Sequence, residues 1–229
     1  MRGKLIVIEG TDCSGKETQT KLLIEKLKNK SIQVDNFSFP NYNSPTGKII
    51  GGSYLGKPTI GESYFKEGAA NVDPKVASLY YAADRKYNID KINFLLENGG
   101  NIILDRYIYS NMAHQGCKFN KGNERKAMYE WLENLEFDLL KLPKPDIGIF
   151  LHMPYENAKE LKKNREEVPD GHEKDADHLI KAEMAYIELA ERYNLKTIEC
   201  AEGTRIKTPM EINEEVFEYV YNQLMNIKN

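Results

Sequence analysis

Residues 6–19 read Ile-Val-Ile-Glu-Gly-Thr-Asp-Cys-Ser-Gly-Lys-Glu-Thr-Gln and contain the most informative motif of the chain. Gly10 and the pair Gly15-Lys16 have the Gly-x4-Gly-Lys spacing of a phosphate-binding P-loop, with an apolar strand pattern before it and a helix pattern after it. Glycines let backbone N–H groups converge on phosphate oxygens, while the helix N-terminus adds positive potential and Lys16 reaches the terminal phosphates. The stretch therefore predicts a nucleoside triphosphate site.

The loop departs from the usual pattern at one position. Glu17 stands where Ser or Thr normally offers a hydroxyl to Mg²⁺, and Thr18 follows it. Either Thr18 and water supply the metal contact, or the metal site is impaired. An acid in the first helical turn is favourable to the helix dipole, which explains why Glu17 is tolerated but not how the metal is held. The predicted triphosphate-binding residues are Gly10, Thr11, Asp12, Cys13, Ser14, Gly15, Lys16, Glu17 and Thr18.

Length and composition exclude several classes of protein. The chain has 229 residues, of which 41% are apolar, and a net charge of −3. This length fits one globular α/β domain over residues 1–229, and the charge does not indicate binding to nucleic acid or to a membrane. We expect no signal peptide, because the first apolar run is too short, and no membrane span. Three widely spaced cysteines indicate reduced thiols and a cytoplasmic location. The four histidines lack paired metal-binding spacing, so no transition metal is expected.

Short apolar runs alternate with helical patterns along the chain. Strands are predicted at residues 5–8, 33–39, 101–104, 146–151 and 196–200. Helices are predicted at residues 16–30, 46–55, 73–98, 124–140, 155–164, 173–193 and 209–227. Strands separated by helices imply parallel pairing with right-handed crossovers, and ligands bind beyond the carboxyl ends of such strands. We therefore expect residues 10–16, 39–42 and 105–107 to share one cleft.

The second half of the site follows the third strand. Asp105 ends that strand beside the P-loop, where it is placed to hold Mg²⁺ through water, and Arg106 is placed to reach the transferring phosphoryl group. On the long helix, Arg85 follows Tyr80 and Tyr81 by about one turn. A guanidinium for a monophosphate and an aromatic ring for a base are what a nucleotide acceptor requires.

The chain resembles the thymidylate kinase family, P-loop enzymes that move the γ-phosphate of ATP onto dTMP. The resemblance covers nearly the whole chain, and its most specific parts are Asp105-Arg-Tyr107 and Ser110-x-x-Ala-x-Gln-Gly116. The other motifs occur in the family's order: Gly10-Thr-Asp-x-x-Gly-Lys-x-Thr-Gln, Phe39-Pro40, Ala82-Ala-Asp-Arg85 and Leu142-Pro-Lys-Pro-Asp146. The resemblance implies a P-loop three-layer sandwich with a central five-stranded parallel sheet, flanking helices and a mobile helical lid.

The resemblance also assigns roles in the substrate site. Asp12 would contact the dTMP 3′-hydroxyl, Lys16 would bridge the donor phosphates, and Asp105 would hold Mg²⁺ through water. Together with Thr18, considered above, Asp105 completes the expected metal residues. Arg85 and Arg106 would grip the acceptor phosphate, Tyr81 would stack on thymine, and His114 would face the sugar. Ser110, Asn111 and Gln115 would face the edge of the base, where the amide of Asn or Gln complements both a carbonyl and an imide N–H. The full substrate-binding set is Asp12, Phe39, Tyr42, Tyr81, Arg85, Arg106, Ser110, Asn111, His114 and Gln115.

Two departures from the family pattern concern positive charge. Asn41-Tyr42 stands where many members carry an arginine beside Phe-Pro, and Cys13 with Ser14 stands where some members carry an arginine in the P-loop. The replacement charge is expected from a lid at residues 157–177, which contains Lys162, Lys163, Arg165 and Lys174. Arg165 is preferred for its forked donors, so the expected catalytic residues are Lys16, Arg106 and Arg165. The family is commonly dimeric, and we expect a homodimer, with the helix that carries Trp131 and Leu132 as one candidate face.

Four other functions compete with this interpretation. A UMP or CMP kinase shares the Gly-Lys-x-Thr-Gln string, although Asp12 and residues 105–107 fit the thymidylate type better. A deoxynucleoside kinase needs a general base, and residues 36–42 contain no carboxylate. A GTP-binding switch needs an Asn-Lys-x-Asp motif, which neither Asn29-Lys30 nor Asn120-Lys121 completes. Glu17 leaves room for a non-enzymatic nucleotide-binding regulator.

Overall fold

A parallel five-stranded sheet forms the centre of the fold in the computed structural model, which describes residues 2–162 and 175–225. The strand order is β2-β3-β1-β4-β5, so β1 lies in the middle of the sheet. All four neighbouring pairs run parallel, as the alternation of strand and helix patterns predicted. The strands are β1 (Leu5–Gly10), β2 (Val34–Ser38), β3 (Asn101–Asp105), β4 (Ile147–His152) and β5 (Lys196–Glu199).

Helices connect these strands. The helices are α1 (Lys16–Asn29), α2 (Pro45–Ile49), α3 (Pro74–Glu97), α4 (Ile108–Gly116), α5 (Asn123–Glu133), α6 (Tyr155–Lys162), α7 (Ala176–Arg192) and α8 (Pro209–Leu224). Two π-helical segments, Ile50–Tyr54 and Asn134–Leu139, extend α2 and α5, and a 3₁₀ turn covers Ala69–Asn71. A short antiparallel hairpin, β6 (Ala201–Glu202) with β7 (Arg205–Ile206), follows β5.

The central strand shows how the sheet separates two layers of helices. Successive side chains of a strand point to opposite faces, and every residue of β1 is buried. Leu5 and Val7 pack in one apolar cluster with residues of α3, α4, α5 and α7. Ile6 and Ile8 pack in a second cluster with residues of α1, α6 and α8. The expected three-layer sandwich is confirmed.

Capping side chains begin two of the predicted helices where the sequence signals lie. Asp73 accepts hydrogen bonds from the backbone N–H groups of Lys75 and Val76 at 2.9 and 3.0 Å, and Pro74 occupies the first helical position of α3. Thr208 and Glu211 form a reciprocal capping box at α8. These bonds satisfy N–H groups that a helix N-terminus leaves without intrahelical partners.

The structure corrects the predicted elements in three places. Helix α4 was not predicted; it has no side-chain N-cap, and all its residues except His114 are buried. The helix predicted at residues 46–55 becomes π-helical in its second half, and the last predicted strand ends at Glu199 because the hairpin begins at Ala201. Of the predicted lid at residues 157–177, the stretch 163–174, with Arg165, lies outside the described residues. No helix among residues 2–162 and 175–225 is long and apolar enough to cross a bilayer.

Candidate functional site

The three predicted segments meet at the carboxyl edge of the sheet, around a cavity of about 670 Å³. The P-loop follows β1, the Phe39–Pro40 segment follows β2, and the Asp-Arg-Tyr segment follows β3. Parallel strands bring their carboxyl ends to one edge, so segments far apart in sequence become neighbours. The predicted site residues in the cavity wall are Asp12, Cys13, Gly15, Lys16, Glu17, Thr18, Phe39, Tyr42, Tyr81, Arg85, Asp105, Arg106, Ser110, Asn111 and His114.

Two glycines allow the P-loop its conformation. Gly15 has φ +75° and begins α1, which has no side-chain N-cap. A Cβ atom at Gly10 would lie 2.4 Å from Ser14 Oγ and 2.8 Å from the carbonyl oxygen of Leu151. The loop is further tied to the end of β4, because Thr11 Oγ1 donates to the Met153 carbonyl at 2.7 Å and accepts from its N–H at 2.9 Å. The uncapped helix N-terminus is a suitable anion site.

Lys16 lies folded against its own loop. Its Nζ donates to the carbonyl oxygens of Gly10 and Thr11 at 3.0 and 2.8 Å and approaches Ser14 Oγ at 3.3 Å. Burial, followed by repulsion from Arg106, lowers the pKa of Lys16 to about 8, although nearby carboxylates oppose the shift. The ammonium group of Lys16 is shielded from water and is hydrogen-bonded only to neutral oxygens. A negatively charged phosphate is therefore a favourable partner for it.

The residues around Asp105 fit a divalent cation that takes few protein ligands. Among residues 2–162 and 175–225, no three His, Cys, Asp or Glu side chains form a metal cluster. Asp105 and Thr18 nevertheless line the same cavity, and Mg²⁺ commonly uses one or two carboxylates with water and substrate phosphates. Glu17 pairs with Lys21 at 2.6 Å on the exposed surface of α1, so an ion pair with a neighbour accounts for this acid.

Arg106 occupies an unusual backbone conformation at the end of β3. Its φ is +65°, a left-handed value that costs energy for a residue with a Cβ and that clusters at functional sites. Nη2 lies 3.8 Å from Asp12 Oδ1, and Nη1 donates to Ser110 Oγ and Tyr186 Oη at 3.3 Å each. Lys162 of α6 also pairs with Asp12, at 2.9 Å. Thus the carboxylate of Asp12 lies between two cations.

Glu9, a buried acid that the sequence analysis missed, supports this arrangement. It lies in β1 with no exposed surface and accepts from the backbone N–H groups of Tyr107 and Ser110 at 2.8 and 3.1 Å. It also accepts a short hydrogen bond from the Ser110 hydroxyl. Burial raises the pKa of Glu9, an effect opposed by the Ser110 hydrogen bond and the charge of Arg106. Its place in the Ile-Val-Ile-Glu-Gly strand was the available signal, since an acid inside an apolar strand requires partners.

On the other side of the cavity, Arg85 is paired with a second acid that was not predicted, Glu136. Arg85 Nε donates to Glu136 Oε2 at 2.5 Å, and Nη2 makes a shorter bond to Oε1. Both side chains are almost fully buried. Asn111 Nδ2 donates to the same Oε1 at 3.3 Å. Glu136 belongs to the π-helical extension of α5, and such segments are frequent at functional sites.

The remaining predicted residues divide into neighbours of the cavity and residues behind its wall. His114 lies at the cavity, with Nδ1 3.2 Å from His178 Nε2 and its ring nearly perpendicular to that of Tyr186. Tyr81 stands edge-on to Tyr54 at 5.8 Å between ring centroids. Gly10, Thr11, Ser14 and Gln115 do not line the cavity. Gln115 is fully buried, and neither polar atom of its side chain has a hydrogen-bond partner within the described part of the chain.

Comparisons with known proteins agree with the resemblance. A family model described as Thymidylate kinase matches residues 8–208. A thymidylate kinase of Plasmodium falciparum is 31% identical over 73% of this chain and 70% of that protein. One of Schizosaccharomyces pombe is 34% identical over 66% of this chain, but the match spans only 62% of that protein, less than two thirds of its length. A solved thymidylate kinase of Candida albicans, 27% identical, covers 96% of this chain and 92% of its own with a TM-score of 0.70.

Proposed function

Because the chain belongs to the thymidylate kinase family, we propose that it transfers the γ-phosphoryl group of ATP to dTMP, giving dTDP and ADP for dTTP synthesis. One observation carries the proposal. A single cavity has a P-loop with Lys16 on one side and the buried Arg85–Glu136–Asn111 group on the other, with Arg106 in the wall. Such a cavity suits a triphosphate donor and a pyrimidine monophosphate acceptor with their phosphates facing each other.

Catalysis is assigned to positive groups rather than to covalent chemistry, because phosphoryl transfer depends mainly on positioning and charge stabilisation. Lys16 exchanges its loop carbonyl partners for β- and γ-phosphate oxygens. Arg106 stabilises the charge on the transferring group, with its guanidinium oriented by Asp12, Ser110 and Tyr186. Arg165 stays a proposed third cation. The acceptor phosphate is already anionic at neutral pH, so no general base is required.

Kinases of this family use ATP and generally need a divalent metal. We assign Mg²⁺, held by Asp105 through water and by the hydroxyl of Thr18. When bound, the ion neutralises charge on the donor phosphates. Asp105 would hold the ion through water, and Glu17 keeps its ion pair with Lys21.

The acceptor site is assigned to the residues opposite the P-loop. Phe39, Tyr42 and Tyr81 supply the aromatic wall for the base and sugar. Ser110, Asn111, His114 and Gln115 come from α4, so their assignment rests on one helix that begins at the edge of the sheet. Asp12 is assigned to the 3′-hydroxyl of dTMP. Its ion pairs with Arg106 and Lys162 fix the position of its carboxylate.

The proposed domain organisation, location, partners and oligomeric state follow the resemblance to the family. We propose one kinase domain over residues 1–229 with a lid at about residues 157–177, a cytoplasmic location, small-molecule partners only, and a homodimer. Trp131 is partly buried against the core, so it is a poor dimer residue. A better candidate is the outer face of α3, where Val76, Leu79, Tyr87 and Phe94 are 42–65% exposed at helical spacing.

The test is an ADP-release assay with ATP and Mg²⁺ against dTMP, dUMP, UMP, CMP and thymidine. We expect the highest kcat/KM with dTMP and none with thymidine, whose hydroxyl lacks a general base here. Preference for UMP or CMP would favour the related monophosphate kinase. Turnover of thymidine would favour a nucleoside kinase. Absence of turnover with all five acceptors by folded protein that binds ATP would favour the regulator.

A further inference from the structure

Lys57 is a basic residue of the cavity wall that lies outside both the P-loop and the Asp-Arg-Tyr segment. It belongs to residues 55–68, which join the π-helical segment Ile50–Tyr54 to the 3₁₀ turn before α3. The residue is half-buried, and its Nζ lies 5.1 Å from the centroid of the Tyr42 ring. Tyr42 lines the same cavity. Attraction between the ammonium group and the face of the ring therefore holds the charge of Lys57 at the cavity wall.

The backbone of Lys57 is hydrogen-bonded through both of its polar groups. Its N–H donates to the Gly51 carbonyl at 2.7 Å, and its carbonyl accepts from the N–H groups of Ile60 and Gly61 at 2.9 and 3.0 Å. Gly56 precedes it with φ +65°, a conformation that favours glycine. The fold thus sets the point from which the Lys57 side chain reaches the cavity.

The sheet order places Lys57 on the acceptor side of the cavity. Strand β2 lies beside β3, which ends at Arg106, and β3 lies beside β1, which carries the P-loop. Arg106 therefore lies between the P-loop and the segment that follows β2. Since Lys57 packs on Tyr42 of that segment, the donor phosphates and Lys57 lie on opposite sides of Arg106.

The two arginines assigned to the acceptor phosphate both face carboxylates. Arg85 is bonded to the buried Glu136, and Arg106 Nη2 lies 3.8 Å from Asp12 Oδ1. These carboxylates cancel part of the positive charge before a ligand binds. A phosphate monoester carries a charge of about −1.5 to −2 at pH 7. Such a ligand therefore favours a further cation on this side of the cavity.

The segment directly after β2 supplies no cation of its own. Asn41 is not in the cavity wall, because its Nδ2 donates to Asn88 Oδ1 at 2.9 Å and its backbone N–H donates to Asp84 Oδ2 at 2.8 Å. Tyr42 is in the wall but brings a hydroxyl group rather than a charge. Lys57 brings positive charge to the same place from a later segment of the chain.

We propose that Lys57 is a further substrate-binding residue, whose ammonium group binds the 5′-phosphate of the nucleoside monophosphate. This inference rests on the proposed function, because the phosphate of that acceptor is the ligand. A lysine is a compact charge on a flexible stem, so it attracts phosphate without fixing one geometry. Orientation is left to Arg106, whose guanidinium is held by Asp12, Ser110 and Tyr186.

The test is a set of dissociation constants, measured by calorimetry, for dTMP, thymidine and ATP with wild type, Lys57→Met and Lys57→Arg. Lys57→Met keeps an unbranched side chain against Tyr42 but removes the charge. We expect its Kd for dTMP to rise by about tenfold or more, as loss of one hydrogen bond to a charged group implies. The Kd for thymidine, which lacks the phosphate, and the Kd for ATP should not change. Lys57→Arg keeps a cation and should retain most of the wild-type affinity for dTMP.

Lys66→Met is the matched control, because Lys66 is exposed in the same segment but does not line the cavity. Its three Kd values should equal those of wild type. A structural role of Lys57 would weaken dTMP and thymidine together, so equal losses for these two ligands would overturn the inference. An unchanged Kd for dTMP in Lys57→Met, or a rise confined to ATP, would overturn it as well.

Two further results separate this inference from the proposed function. Should Lys57→Met not fold, Lys57→Gln is measured in the same way, since it also removes the charge. Wild type that binds dTMP, shows the expected loss in Lys57→Met and yet releases no ADP would support the phosphate contact and contradict the kinase. Wild type that binds no dTMP would overturn both.

Discussion

Glu9 and Ser110 are joined by two hydrogen bonds across the edge of the sheet, one from the Ser110 backbone N–H at 3.1 Å and a short one from its hydroxyl. Because Glu9 also accepts from the N–H of Tyr107, its carboxylate serves as the N-terminal acceptor of α4. Arg106 precedes these residues in a left-handed conformation. The carboxylate of Glu9 therefore fixes the backbone that directly follows Arg106.

Replacement of Glu9 should lower kcat as well as the free energy of unfolding, and the loss of kcat should exceed what partial unfolding would cause. Glu9→Gln keeps the volume and one oxygen for both N–H groups, but its NH₂ group replaces the oxygen that accepts from the Ser110 hydroxyl. The free energy of unfolding should therefore fall by about 1–3 kcal/mol. We expect kcat to fall by about tenfold or more, because Arg106 loses its fixed orientation. Asp146→Asn is the control, since Asp146 accepts the Leu5 N–H at 2.9 Å at the opposite end of β1. Similar kcat in both variants would exclude the positioning role of Glu9.

Lys16 should be required for turnover, and its protonation should set the alkaline limit of nucleotide capture. Loss of one preorganised charge typically costs about 10²–10³ in rate, which is the expected loss of kcat in Lys16→Ala. Since burial and Arg106 lower the pKa of Lys16 to about 8, kcat/KM for ATP should fall as the pH rises through that value. Lys21→Ala, an exposed lysine on the same helix, should show neither loss. An unchanged rate in folded Lys16→Ala would remove Lys16 from the mechanism.

Glu17 should not disable the metal site. Its side chain is 77% exposed and paired with Lys21, so Glu17→Ser should change the Mg²⁺ concentration for half-maximal rate by less than about threefold, because Mg²⁺ takes few protein ligands. Asp105→Asn should shift it strongly. The measurement is a Mg²⁺ titration of the rate at saturating ATP and dTMP. Inactive wild type that Glu17→Ser rescues would show that this departure impairs the enzyme.

His178 should make stability fall in mild acid. Burial, followed by the charge of Lys118, lowers the pKa of His178 to about 4, well below its usual value of 6.5. The unfolded chain therefore binds the proton more readily, so the stabilisation is complete above pH 6.5 and is lost as the pH falls towards 4. Relative to His178→Gln, the free energy of unfolding of wild type should drop by about 3 kcal/mol over this range.

Denaturant titrations at pH 7.5, 5.5 and 4.5 provide the measurement. His152 is an opposite control, because a hydrogen bond to Glu183, stronger than the effect of burial, raises its pKa. The stabilisation from His152 is complete below pH 6.5 and is lost as the pH rises through the pKa of His152 in the folded protein. Parallel pH profiles for His178→Gln and wild type would contradict the assignment.

Elements that depend on neighbours along the chain could be predicted from the residues alone. The Gly-x4-Gly-Lys loop follows from local backbone needs at Gly10 and Gly15, and the start of α3 follows from Asp73 and Pro74. Apolar runs separated by helix patterns were sufficient to predict the parallel sheet and the edge that carries the cavity. The roles of individual site residues stay predictions.

Tertiary structure alone decided the partners of the buried charges. Glu136 stands in a helical region with several exposed acids, and only the tertiary structure brings the π-helical segment Asn134–Leu139 to α3 and places Glu136 on Arg85, 51 positions away. Helix α4 is buried nearly all round and has no side-chain N-cap to mark its start in the sequence. The donors to Glu9 likewise come from a distant part of the chain, Tyr107 and Ser110 at the start of α4. A buried polar group must find a partner, but which partner it finds depends on which elements pack together, and local spacing does not encode that choice.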